Sequence, residues 1–367
     1  MSCLQTSLDA SSCGELHNDK VAGEVSATMD RRMQVSIVIC THNRAEDLRL
    51  TLDSLAQTEV PEQCDAEVVI VDNGSTDHTR QVVDNAQIPE MRVTYLYDEW
   101  PNKSNALNRG IREANGSILM LTDDDVRFPA QWVEKMCRPI AANLADATGG
   151  GVRIAPHLRR RWLLEAFPCF CAALESTENL QTPVLFGANM AFSRKILEKV
   201  PGFDVALGPG ALGNCEDSLF VMQMRAAGYR LQMVHDAWVE HYFDAARLQA
   251  KSIMRAARNL GRSEAYVHLK WKRGSLFSWR WGRVLRKTAA YTVKRLLRPK
   301  EWACEESAPY WAVDAITAYW FLRQYCTERL KRRVPADRAL AHASDLARKI
   351  ASNPSKIPAA ANASRSL

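Results

Sequence analysis

No run in the 367 residues is apolar for the ~18 positions that a membrane-spanning helix needs. The best candidate, Trp311 to Leu322, is too short and carries Asp314. None of the ten cysteines forms a Cys-x-x-Cys pair, and only Cys169 and Cys171 stand close together. That spacing excludes the usual structural zinc site and argues against a disulfide framework. Reduced cysteines in apolar segments behave as small hydrophobes. No G-x-x-x-x-G-K-[ST] loop is present, so a P-loop nucleotide site is excluded. The run Gly149-Gly150-Gly151 lacks the spacing of a dinucleotide fingerprint and reads as a tight turn or close backbone packing. The first residues hold Asp9, Glu15 and Asp19 but no apolar core, so they are not read as a secretory signal. The resulting expectation is a reducing, cytoplasmic location.

What is present is an ordinary globular mixture, 47% hydrophobic and 25% charged, which rules out collagen-like, mucin-like and wholly disordered chains. The net charge of +6 hides an asymmetry. From Asp244 onward there are 26 Lys+Arg and 9 Asp+Glu, a net +17, which leaves −11 for residues 1–243. An acidic body can hold a cation, and a basic tail can face anionic lipid or nucleic acid. Residues 1–31 are polar and aperiodic and are expected to be disordered, as is 351–367. Residues 32–243 and a basic, helical 244–350 lie between them.

Val35–Cys40, Glu67–Val71, Val93–Tyr97 and Ile118–Leu121 are β-rich apolar runs. Leu48, Leu52 and Leu55 mark a helix face after the first, and Ser104–Asn115 reads as a helix stopped by Gly116. Short apolar strands alternating with helices predict an α/β fold, a mostly parallel sheet with helices on both faces. Ligands bind such sheets beyond the carboxyl ends of the strands.

The chemically informative residues sit at those ends. Asp123-Asp124-Asp125 closes the fourth run, and three adjacent carboxylates repel one another unless a cation neutralises them. Hard oxygen ligands suit Mg²⁺ or Mn²⁺. The alternative is an acidic turn capping a helix opened by Pro129. Asp72 precedes Asn-Gly-Ser-Thr-Asp, which is turn chemistry with Ser75 or Asp77 as a cap, or a carboxylate set to hold a base or ribose. The glycine-rich stretch Gly208–Gly213 leads into Glu216 and Asp217 at the start of an apolar helix. These acids either complement the helix dipole or ride on a mobile loop that delivers a carboxylate base. His241 ends a strand-like run, with His42 and His235 as competitors for any ligand role.

In order, VSIVICTHNR, VVIVDNGSTD, NALNRGIREANGSILMLTDDD, FGANMAFSRKILEKVPGFD, the GPG…GNCED loop and AWVEH make the chain resemble the family-2 glycosyltransferases of the GT-A fold, from about Val35 to Tyr242. The resemblance implies a nucleotide-sugar transferase domain over residues 32–243. It implies donor contacts at Thr41, Asn43, Arg44 and Asp72, and an Asp-x-Asp motif on Asp123 and Asp125. Asp125 would then be the direct metal ligand, with Asp123 or Asp124 near the ribose. It also implies Glu216-Asp217 as the acidic pair with Asp217 as general base, His241 completing the metal site, and Asn189 near the donor sugar. Where the family has hydrophobic-Asp-x-Asp-Asp, this chain reads Thr122-Asp-Asp-Asp-Val126, so the final acid is lost. The implied activity is inverting, metal-dependent transfer from a nucleotide-diphosphate sugar to a glycan or lipid-linked acceptor, in cell-surface polysaccharide biosynthesis. The divalent ion would be Mn²⁺ or Mg²⁺.

Phe277–Leu297 can be placed on a helix with Phe277, Trp281, Val284, Leu285, Thr288 and Thr292 on one side and basic residues on another. This is the pattern of a helix lying in an anionic membrane interface, or of one packed on the catalytic domain with a solvated basic face. The first option would put the protein at the inner face of the cell membrane. Two rival readings remain at this level. A nucleotidyltransferase should carry a basic or Gly-rich loop after the first strand, and THNRAEDL offers only Arg44. A decayed domain with a nucleic-acid- or membrane-binding tail is opposed by the presence of Asp125, Asp217 and His241 together.

Overall fold

The computed structural model describes residues 32–271 apart from 167, 177–179 and 181, isolated positions between 282 and 297, and residues 308–331. The extensions 1–31 and 332–367 lie outside the described residues, as does most of the basic segment 277–297.

The chain alternates strands and helices from its first described element: β1 (Met33–Thr41), α1 (Ala45–Leu55), β2 (Cys64–Asp72), α2 (Thr79–Asp84), β3 (Met91–Tyr97), α3 (Lys103–Glu113) and β4 (Ile118–Asp123). There follow β5 (Val126–Arg127), α4 (Trp132–Ala141), β6 (Ala147–Ile154), α5 (Arg161–Ala166), β7 (Met190–Ser193), α6 (Glu216–Ala226) and β8 (Leu231–His241). Two long helices complete it, α7 (Ala250–Lys270) and α8 (Tyr310–Lys331). One sheet runs in the order β3-β2-β1-β4-β7-β6-β8-β5. β1, β2, β3 and β4 pair in parallel, β7 runs antiparallel to both β4 and β6, and β6 returns to parallel pairing with β8.

The near-continuous apolar strands follow from burial on both faces. Ile37, Ile39, Val68, Ile70 and Met120 enter one core cluster under α1 and α4, which contribute Leu48, Leu52, Trp132 and Met136. Their neighbours Val38, Val69, Val71, Leu119 and Leu121 enter a second cluster under α3 and α6, with Leu107, Ile111, Phe220 and Met224. The period-2 alternation thus divides each strand between two helical layers.

The glycine run lies inside β6, and its reading as close packing holds. A Cβ on Gly150 would fall 2.2 Å from the Ala237 carbonyl oxygen and from the Asn189 amide nitrogen, and one on Gly151 would fall 2.1 Å from the Trp238 ring. Side chains there would force β6 and β8 apart.

The described residues from Met33 onward form one compact unit. A third core cluster joins Ile154, Leu158, Leu163 and Phe243 to Ile253 and Ala257 of α7 and Val313 of α8. The helices after residue 244 therefore share a core with the end of the sheet. Among the described residues no helix is long and apolar enough to cross a membrane.

Candidate active site

Strand register assembles the site. In the parallel ladder Thr41 lies opposite Asp72, and Cys40 opposite Asp123. At the far edge, antiparallel pairing of Val126 with His241 brings the end of β8 beside Asp125. Residues up to 200 positions apart in number, from Thr41 to His241, thus meet at the carboxyl ends of the strands.

The three aspartates point to different partners. Asp123, half-buried, takes an ion pair from Lys103 Nζ. Asp124 accepts from Thr41 Oγ1 at 2.8 Å and from Arg44 at 2.9 Å. Burial pushes its carboxyl up to about 6, against the pull of Arg44. Asp125 Oδ2 accepts from the same guanidinium at 3.0 Å. Burial would raise the Asp125 carboxyl, but His241, Arg44 and Arg247 outweigh it and hold it below the ordinary carboxylate range. The triplet does not cap α4, which begins only at Trp132.

Asp123, Asp125 and His241 each offer a ligand atom, and these atoms lie within 4.8 Å of one another. His241 Nδ1 is 2.8 Å from the Cys171 carbonyl oxygen. That contact requires an N–H at Nδ1, which in the neutral ring leaves the Nε2 lone pair facing the site. Nε2 is 3.1 Å from Asp125 Oδ1. Yet Oδ1 is buried and, beside a neutral ring, has no hydrogen-bond donor. With the ring charged, Nε2–H faces Oδ1 as an ion pair; with the ring neutral, two acceptor atoms converge with no proton between them, an arrangement that fits a cation. The donor set, carboxylate oxygen with imidazole nitrogen, suits Mg²⁺ or Mn²⁺.

Asp72 accepts from the Ser75 backbone N–H at 2.8 Å and from the Tyr95 hydroxyl at 2.8 Å. Asn43 adopts a left-handed backbone, φ 51°, and its Oδ1 accepts from the Thr76 N–H at 2.8 Å. The loops after β1 and β2 are thereby laced together. Asp77 also links them, accepting at 3.1 Å from the Ala45 N–H at the start of α1.

Glu216 and Asp217 open α6. Asp217 accepts from the Ser218 N–H at 2.6 Å and, more weakly, from Gly187 N–H at 3.4 Å. Burial first, and then the neighbouring Asp217 charge, push Glu216 up to about 7. Asp217 is likewise raised by burial, with Lys103 opposing. The loop before them, expected to be mobile, is tied on both flanks. Pro209 accepts from the Lys103 N–H at 3.0 Å, Leu207 accepts from Ser104 Oγ at 2.9 Å, and the Asn214 N–H donates to Ser263 of α7 at 3.2 Å.

Asn189 is fully buried with its amide committed to the fold. Its nitrogen donates to the Gly151 and Ala237 carbonyls, and its oxygen accepts from Trp132 Nε1, all at 2.9 Å. Both polar atoms of the amide are thus engaged in the interior, tying three segments together. His42 bonds to the Asn73 carbonyl rather than to the acids.

Lys103 was not legible as a site residue, although a signal existed. A cation at the first position of a helix opposes the helix dipole, and such local conflicts mark functional positions. It stands between the two acidic groups, with Asp123 and Glu216 as its main charge partners.

Residues 36–201 match the model of glycosyl transferase family 2, so this stretch of the chain is similar to that family. It is 26% identical over 209 residues to glycosyltransferase AglE of Haloferax volcanii, covering 55% of this chain and 64% of that protein. It is 29% identical over 214 residues to the succinoglycan biosynthesis protein ExoM of Rhizobium meliloti, covering 56% and 66%. The matches thus span just under two thirds of each relative. Among solved structures, mannosyltransferase PcManGT of Pyrobaculum calidifontis, in complex with GDP-Man and Mn²⁺, shares the fold with a TM-score of 0.50 at 21% identity, covering 87% of this chain and 81% of that one.

Proposed function

We propose that this chain transfers a sugar from a nucleotide-diphosphate sugar to an acceptor hydroxyl, with inversion at the anomeric carbon and with the help of a divalent ion. The carrying observation is the meeting of Asp123, Asp125 and His241 in one ligand set, with the orphaned Asp125 Oδ1 facing His241. Asp123, Asp125 and His241 would hold the ion, which would supply Lewis-acid stabilisation to the charge developing on the departing diphosphate.

This chain's own residues do the rest. Asp72 with the laced loops after β1 and β2 holds the nucleoside, its carboxylate fixed by Tyr95 and Ser75. Thr41 and Arg44 orient Asp124 and Asp125. Asp217 takes the proton of the acceptor hydroxyl as its oxygen bonds to the anomeric carbon and the carbon–oxygen bond to the diphosphate breaks. A positioned carboxylate contributes ~10²–10⁴-fold in such a step. Approach opposite the diphosphate gives inversion. We place the acceptor among glycans or lipid-linked sugars of the cell surface, in keeping with the relative named for succinoglycan biosynthesis.

The test is a panel of UDP-, GDP-, ADP- and dTDP-sugars, scored for binding and hydrolysis with and without Mn²⁺. Binding of one sugar nucleotide, strengthened by Mn²⁺, is expected. Failure of every donor to bind under both conditions would overturn the reading.

A further inference from the structure

Resting on that reading, we propose that Arg44 is a resident counter-ion for Asp125 that makes the site accept a divalent ion only together with a diphosphate, to which the guanidinium then transfers.

The argument begins with the oxygens. A single nitrogen of Arg44, Nη1, donates to Asp124 Oδ1 at 2.9 Å and to Asp125 Oδ2 at 3.0 Å. Lys103 occupies an oxygen of Asp123. Among the buried carboxylate oxygens of this group, Asp125 Oδ1 is left without a donor, beside His241 Nε2. Mg²⁺ and Mn²⁺ favour about six ligands, normally one or two carboxylates with water and substrate phosphates. A free ion entering here meets the three protein ligands Asp123, Asp125 and His241, about half of the six it favours. It must also share Asp125 with a fixed positive charge.

The two cations on the acids differ in freedom. The Arg44 side chain is 36% exposed and springs from the loop between β1 and α1, whereas Lys103, 24% exposed, starts a helix and is ion-paired to Asp123. Arg44 is therefore the group able to turn outward. A guanidinium also matches a phosphate in fork geometry, which makes diphosphate oxygens a natural second partner. When diphosphate and ion arrive together, the phosphates supply the missing ligands and receive Arg44. Asp125 is then released from the competing charge. Without the diphosphate, Arg44 has no new partner and remains on the acids.

The experiment measures Mn²⁺ binding by electron paramagnetic resonance on the full-length wild type, Arg44→Gln, Arg44→Lys and Asp125→Asn. Each is measured alone and with UDP or GDP, whichever nucleotide binds. Arg44→Gln should bind Mn²⁺ alone at least ~10-fold more tightly than the wild type, about 1.4 kcal/mol. The same variant should bind the nucleotide diphosphate with Mn²⁺ more weakly than the wild type. Arg44→Lys should fall between the two, since it keeps the charge and loses the fork. Equal affinity of wild type and Arg44→Gln for Mn²⁺ alone, with binding lost in Asp125→Asn, would overturn the counter-ion role and leave the proposed metal site standing. Absence of Mn²⁺ binding in all four proteins, with or without nucleotide, would overturn both.

Discussion

His241 Nε2 and Asp125 Oδ1 stand 3.1 Å apart in the protein interior, and with the imidazole neutral the carboxylate oxygen accepts no hydrogen bond. The imidazole is aimed from behind by the Cys171 carbonyl, and the acid by the two-residue strand β5. Such a pair is costly unless an ion completes it. His241→Ala should therefore lower Mn²⁺ affinity in the presence of nucleotide by more than the ~10–100-fold caused by losing an outer partner of a metal ligand. Nucleotide binding measured in chelator should change little. Calorimetry with and without EDTA reads both. An unchanged Mn²⁺ affinity would remove His241 from the site.

Asp217 is expected to act on the acceptor and not on the donor. Asp217→Asn should cut transfer by ~10²–10⁴-fold while leaving nucleotide affinity within about two-fold, a difference of ~0.4 kcal/mol. Initial rates and fluorescence titration with the bound nucleotide separate the two effects. Transfer at the wild-type rate would rule out Asp217 as the base.

The acidic pair also sets a pH dependence. Glu216 is pushed up to about 7 by burial and by Asp217, and Asp217 is raised as well. Below neutral pH the pair retains a proton, and a protonated base cannot accept another. The rate should rise with pH on an acid limb near 7. Glu216→Gln removes the neighbouring charge, so the limb should move to lower pH. The sign for stability follows from the same shift. Glu216 binds its proton more tightly folded than unfolded, so it costs the fold nothing below its ordinary value of 4.5. The cost grows as pH rises toward 7. Glu216→Gln should accordingly melt higher than wild type at pH 8, with a smaller gap at pH 5. A pH–rate profile from 5 to 9 and melting curves at both ends provide the check, and an unmoved acid limb would contradict the coupling.

The first half of the sheet was legible because β1, β2, β3 and β4 obey a simple rule. β1, β2 and β4 are apolar on both faces and β3 covers their edge, and chemistry collects where they end, so Asp72 and the Asp123–Asp125 triplet could be placed from sequence. The second half broke the rule. β6 contains Gly149-Gly150-Gly151, which have no strand preference and owe their place to Asn189 and Trp238 pressing from neighbouring segments. β7 has only four residues and runs against its neighbours. Lys103 gained its meaning only when α3 swung it against Asp123, a contact that local pattern does not encode. The reach of α7 into the loop before Glu216, through Ser263, is non-local in the same way.

Asn189 separates a binding role from a structural one. It fills the space left by Gly150 and joins three segments, donating to Gly151 and Ala237 and accepting from Trp132. Asn189→Ala would leave two buried carbonyls and one indole N–H without partners, at ~1–3 kcal/mol for each unsatisfied group. The total is a large part of the ~5–15 kcal/mol that holds a typical protein folded. The variant should lose several kcal/mol in urea unfolding, and whatever fraction remains folded should bind donor with near-native affinity. Asn189→Asp keeps one or two acceptor contacts but cannot donate to Gly151 and Ala237 when ionised, so it should be destabilised as severely. If either variant instead kept native stability and lost donor affinity selectively, the amide would face the sugar and the packing described for β6 and β8 would be wrong.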